Sequence, residues 1–134
     1  MTQPATKTTI APFLSVRNGP KALAFYKAAF GATEQFLHDD GTGSIVAKLA
    51  LDGAEFWLAD ESPEHKNFSP ETLNGGTVRM ILTVEDPDTA FQKAVAAGAT
   101  VVVNMKNDYG WRIGRVVDPF GHHWEIGKPL QKNS

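Results

Sequence analysis

His122, His123 and Glu125 stand close together in the run Asp118-Pro119-Phe120-Gly121-His122-His123-Trp124-Glu125-Ile126-Gly127. An imidazole beside a carboxylate can transfer protons, because the ring changes charge near neutral pH and the carboxylate orients it. Side chains alternate along a strand, so His123 shares a face with Glu125, while His122, Trp124 and Ile126 point the other way. The same groups could hold a divalent ion, since His123, Glu125 and Glu55 supply one imidazole and two carboxylates. Two of these donors sit two residues apart on one strand, which is a less usual arrangement than donors from separate strands. His122 follows a turn and suits a hydrogen bond to nearby backbone. His38 and His65, at a strand end and in a connecting segment, read as solvated.

The elements that must position these groups are given twice. Ala24 to Thr33 and Ala90 to Thr100 read as two copies of one helix about half a chain apart, with Phe25 matching Phe91 and Gly31 matching Gly98. A repeat at that period indicates two related modules. In the first, an apolar run from Ile10 to Val16 leads to Asn18, a capping residue, and Pro20, which suits a first helical turn. Ala22, Phe25, Tyr26, Ala29 and Phe30 then form one buried stripe, and Gly31 ends the helix. Three strands follow over 34–38, 44–51 and 54–59, with Asp52-Gly53 as a hairpin turn. The second module repeats the plan with a strand over 77–84, cap Asp86 with Pro87, a helix to Ala97, and strands at 100–105, about 113–117 and 122–126. The expected fold is α+β: one domain over 1–134, built of two tandem βαβββ modules, 9–60 and 77–127, with pseudo-twofold symmetry. Residues 61–76 lack periodicity and read as the linker. The connection Asn104 to Trp111 outgrows its counterpart at 39–43, so it is expected as a loop covering a site, with Tyr109 or Trp111 leaning over it.

Composition limits the partners. The chain has 134 residues, and each half alone would have a marginal core, so the halves should share one. A net charge of -2 with both signs scattered gives no reason to propose nucleic acid or a membrane. There is no cysteine, which excludes disulfides, thiolate chemistry and zinc-finger sites. The polar start is neither a signal peptide nor a span, and a cytoplasmic location is expected.

Together with Ala11-Pro12-Phe13-Leu14-Ser15-Val16, the segment Phe25 to Ala32 and the stretch Gly110 to Arg115, the Asp118–Gly127 ending resembles the vicinal oxygen chelate superfamily. That group comprises glyoxalases, bleomycin-resistance proteins and extradiol dioxygenases, and the resemblance is to its PhnB-like branch, over residues 9 to 128. It implies sheets curled around a shared cavity and a homodimer. In metal-dependent members a His or similar on the first strand of each module and a Glu or similar on the last hold the metal. Carried over, those positions fall on Ala11, Trp57, Arg79 and Glu125. Only Glu125 can bind a metal, and one ligand is too few, so neither metal nor other cofactor is expected.

By alternation from those positions the implied cavity takes Phe13, Ser15, Glu55, Trp57, Arg79, Ile81, Thr83, His123 and Glu125, an apolar wall with converging polar groups. Two classes of function follow. One is a glyoxalase-like lyase or isomerase, with Glu125 as base, Arg79 as the electrophile for an enolate and His123 assisting. The other is a binding protein without turnover, resembling bleomycin-resistance proteins, with Phe13, Glu55, Trp57, Tyr109 and Trp111 contacting a small-molecule ligand. Arg79 and Glu125 are expected to form a direct ion pair, with Glu125 buried.

Overall fold

The computed structural model describes residues 4–131. The first module runs β1 (Phe13–Val16), α1 (Gly19–Phe30), β2 (Thr33–Asp39), β3 (Ile45–Leu51) and β4 (Ala54–Asp60). A connecting segment carries a 3-10 turn at Pro63–His65 and the short helix α2 (Pro70–Leu73). The second module runs β5 (Arg79–Thr83), α3 (Pro87–Ala97), β6 (Thr100–Asp108), β7 (Trp111–Val117) and β8 (His123–Pro129).

Local chemistry sets the helix ends. The side chain of Asn18 accepts from the amide of Lys21, and Gly31 adopts the left-handed conformation that closes α1. Asp86 does the same for α3 through the amide of Thr89, with Gly98 at its end. Asp60 ties the start of α1 to the sheet, accepting from the amides of Gly19 and Ile45, both at 2.8 Å. A Cβ on Gly19 would come within 2.3 Å of that carboxylate, so only glycine permits the contact.

Each module forms a four-stranded mixed sheet, ordered β1-β4-β3-β2 and β5-β8-β7-β6, in which the first and last strands run parallel. The register carries the symmetry: Phe13 lies opposite Trp57, and Ile81 lies opposite Glu125. The two modules are therefore alike, as the repeat implies, and the sheets stay open. One detail differs. Phe91 is the fifth residue after cap Asp86 and Phe25 the seventh after cap Asn18, so the two stand at different distances from their N-caps. Both phenylalanines are nonetheless buried.

One core joins the modules. Helix α1 packs on β3 and β4, α3 on β7 and β8, and the helices pack on each other. Trp124 of β8 meets Phe30, Tyr26 and Phe56 of the first module at ring distances of 4.6, 5.6 and 5.7 Å. Alternate residues of β1, β4, β5, β7 and β8 face away from this core, and those faces carry the expected site.

Residues 61–76 connect the modules and are folded, held where Glu61 accepts from the amide of Ser69 and the hydroxyl of Thr72. One expectation is corrected. The segment 104–111 is no loop: β6 continues to Asp108, and a tight turn at Tyr109-Gly110 leads into β7. Apolar strand formers at 101–103 start this hairpin, and its polar tip stays paired because main-chain hydrogen bonds do not require apolar side chains.

Candidate functional site

Strand β8 places His123 and Glu125 on the face away from the core, while Trp124 and Ile126 are buried. Its neighbours complete that face. Arg79 lies opposite His123 and Ile81 opposite Glu125 on β5, and Arg115 lies opposite Glu125 on β7. Arg79 Nε stands 3.3 Å from Glu125 Oε1. The direct ion pair is present, but the expectation of burial is not met, since the Arg79 side chain is 52% exposed and Glu125 23%. The face is open because the helices of the core cover only the opposite side of the sheet.

Arg115 joins this face, where alternation from the carried-over positions places Arg79 but not Arg115. Its Nε donates to Nδ1 of His123 at 3.1 Å. That bond makes Nδ1 an acceptor and leaves the ring proton on Nε2. Burial, followed by the Arg115 charge, holds the His123 imidazole below its ordinary titration range. The signal available in the sequence was the alternation of β7, which puts Trp111, Ile113 and Arg115 on one side.

The first module's outer face is aromatic. Phe13 and Trp57 stack at 6.0 Å with planes 8° apart, and Phe36 meets Trp57 at 6.1 Å. Lys48 sits over the Trp57 ring and pairs with Glu55 at 3.2 Å. Ala11 precedes β1. Glu55 is thus engaged by its own module, far from forming a donor set with His123. Among the described residues no group of three His, Asp or Glu side chains could hold a metal ion. At the carried-over ligand positions Ala11, Trp57 and Arg79 offer no donor a metal would use, so the residues present do not fit the superfamily's metal centre.

The two faces meet in a depression of about 290 Å³. Phe13 and Ser15 enter it from β1, Arg79, Arg115 and His123 from the second module, and Phe68 and Leu73 from the connecting segment. No carboxylate lines it. The connecting segment belongs here because α2 packs against β1 and the Gly121 turn. A larger depression of about 1030 Å³ lies between α1, α3 and the ends of β5 and β8; it includes Ile81 and Thr83 but none of Arg79, His123 or Glu125.

Tyr109 and Trp111 do not reach this place. Tyr109 is 88% exposed at the hairpin tip. Trp111 is on the outer face but pairs with Pro129, six residues along β8 from His123, roughly 20 Å away at strand spacing. His122 turns out to bridge modules, its Nε2 donating to the carbonyl of Ser15 at 2.9 Å.

The motif around the site has its own anchor in Asp118, which is buried. Its carboxylate accepts from the Tyr26 hydroxyl at 2.5 Å, Trp124 Nε1 at 2.9 Å and the amides of Phe120 and His122. This network fixes the turn that delivers His123 and Glu125.

The pattern of the Glyoxalase/Bleomycin resistance protein/Dioxygenase superfamily matches residues 8–126. The chain belongs to that superfamily. An uncharacterized protein of Mycobacterium tuberculosis is 38% identical over 128 residues, covering 92% of this chain and 75% of that protein. The crystal structure of an Arabidopsis thaliana gene product is 30% identical and superposes with a TM-score of 0.72, over 92% of this chain and all (100%) of that one. TnmS3, an antibiotic binding protein from Streptomyces, shares the fold at 22% identity, with a TM-score of 0.68 over 94% of this chain and 99% of its own. No described helix is long and apolar enough to cross a membrane.

Proposed function

We propose that this chain binds a small organic molecule in the depression between Phe13 and the Arg79–Arg115–His123 cluster, without a metal centre and without turnover. One observation carries the proposal: exposed apolar side chains and converging N–H donors line the same concave site, the usual composition of a small-molecule pocket. The state of Glu125 adds support. Its carboxylate already faces the Arg79 guanidinium at 3.3 Å and does not line the depression. The fold accommodates such use, as TnmS3 is an antibiotic binding protein.

A proton-abstracting role for Glu125 has one observation in its favour, namely that Arg115 lies across from it and could stabilise a developing enolate. It ranks second because Glu125 is engaged by Arg79 and does not line the depression, while the Nδ1 of His123 accepts from Arg115.

The proposal is tested by titrating chelator-treated protein with a fragment library while recording amide shifts by NMR. Shifts clustered at Phe13, Arg79, Arg115 and His123 are expected. Clustering in the larger α1–α3 depression, or binding that returns only with added metal, would overturn it.

A further inference from the structure

We infer that the depression selects an organic anion, its head group held by the guanidinium groups of Arg79 and Arg115 and by Nε2–H of His123, its apolar body lying against Phe13 and Phe68. This deepens the binding reading above and rests on it.

The charge balance of the site points this way. Arg79 and Arg115 both line the depression, and no Asp or Glu does. Glu125 stands beside Arg79 at Nε, and a single carboxylate offsets only one of the two cations. Among the described residues, no hydrogen bond engages the terminal amino groups of either arginine; Arg79 Nε stands 3.3 Å from Glu125, and Arg115 spends Nε on His123. Planar guanidinium edges of this kind match carboxylate and phosphoryl oxygens through paired hydrogen bonds.

The histidine completes the set. With Nδ1 accepting from Arg115, the ring presents a donor at Nε2. Arg115 therefore acts twice, as a direct donor and as the group that fixes the tautomer of its neighbour. Beside these donors stand Phe13, exposed by 55%, and Phe68, by 40%. Aromatic surface left open next to an uncompensated positive charge suits a molecule with one anionic end and one apolar end. The volume of about 290 Å³ limits that molecule to modest size.

The test compares 2-naphthoate with its neutral analogue 2-naphthamide, and includes phenylphosphonate to tell a phosphoryl head from a carboxylate. Binding is followed by NMR shifts in wild type, Arg115→Gln and Arg79→Gln, with the thermal midpoint confirming that each variant folds. We expect at least one acid to perturb Phe13, Arg115 and His123, and the amide to bind about tenfold or more weakly, the factor set by losing charge-assisted hydrogen bonds. Arg115→Gln should remove most of that preference, weakening the acid far more than the amide. Equal binding of acid and amide at these residues overturns anion selection but leaves the binding site standing. No perturbation there by any of the three at millimolar concentration overturns both.

Discussion

The phenol of Tyr26, on the helix of the first module, donates to Asp118, which opens the last turn of the second, at 2.5 Å. The bond joins residues far apart in the chain inside the shared core. It couples the packing of α1 to the turn that presents His123 and Glu125. Tyr26→Phe should therefore cost about 1–2 kcal/mol in denaturant unfolding, since Asp118 keeps its other donors. Asp118→Ala strands several buried donors at once and should cost at least ~3 kcal/mol. Burial, with the Asp118 charge next, raises the Tyr26 hydroxyl well above its ordinary 10.0. The unfolded chain then releases this proton before the native one does. Stability is full below pH 10.0 and should fall as pH rises beyond it, and Tyr26→Phe should lessen that fall.

The Arg79–Glu125 pair should contribute little to stability despite its place in the site. Both groups reach solvent. A double-mutant cycle with Arg79→Gln and Glu125→Gln should give a coupling under about 1 kcal/mol that shrinks with salt. A coupling of several kcal/mol would show that the pair is far more shielded than its geometry indicates.

His123 should titrate below 6.5 in an NMR pH series, because burial and then Arg115 disfavour its charged form. Below pH 6.5 the unfolded chain takes up this proton more readily than the native one. Stability should accordingly decline as pH falls through that range. Arg115→Gln should move the His123 titration upward toward 6.5 without restoring it fully, since burial remains.

Two copies of the chain should associate. The sheets end in the edge strands β1 and β2, and β5 and β6, and Phe36 and Ile81 are exposed by 48 and 58%. Such edges and apolar faces are commonly covered by a second subunit. Light scattering at micromolar concentration should report a dimer, and Ile81→Glu should shift it toward monomer.

Much of the fold was legible because its signals are local. Asn18, Asp86, Gly31 and Gly98 mark helix ends by their own chemistry, and strand alternation assigned the outer faces of β5 and β8 correctly. The site was legible only in part. Arg115 lies in a run, Trp111 to Val117, that carries no motif of its own, and its contact with His123 is set by pairing between β7 and β8. Phe68 and Leu73 lie in a segment whose composition resembles a linker, and only its docking on β1 and the Gly121 turn makes it a wall. The helix match of Phe25 with Phe91 misled because residue type repeated while position relative to the cap did not.

On β8 the core residue Trp124 and the site residues His123 and Glu125 are immediate neighbours in sequence, yet they face opposite media. Substitutions at every second position can therefore redraw what the outer surface recognises without disturbing the aromatic packing beneath. Ligand preference and foldability occupy interleaved positions of one strand, so a new specificity here requires neither an inserted loop nor a repacked interior.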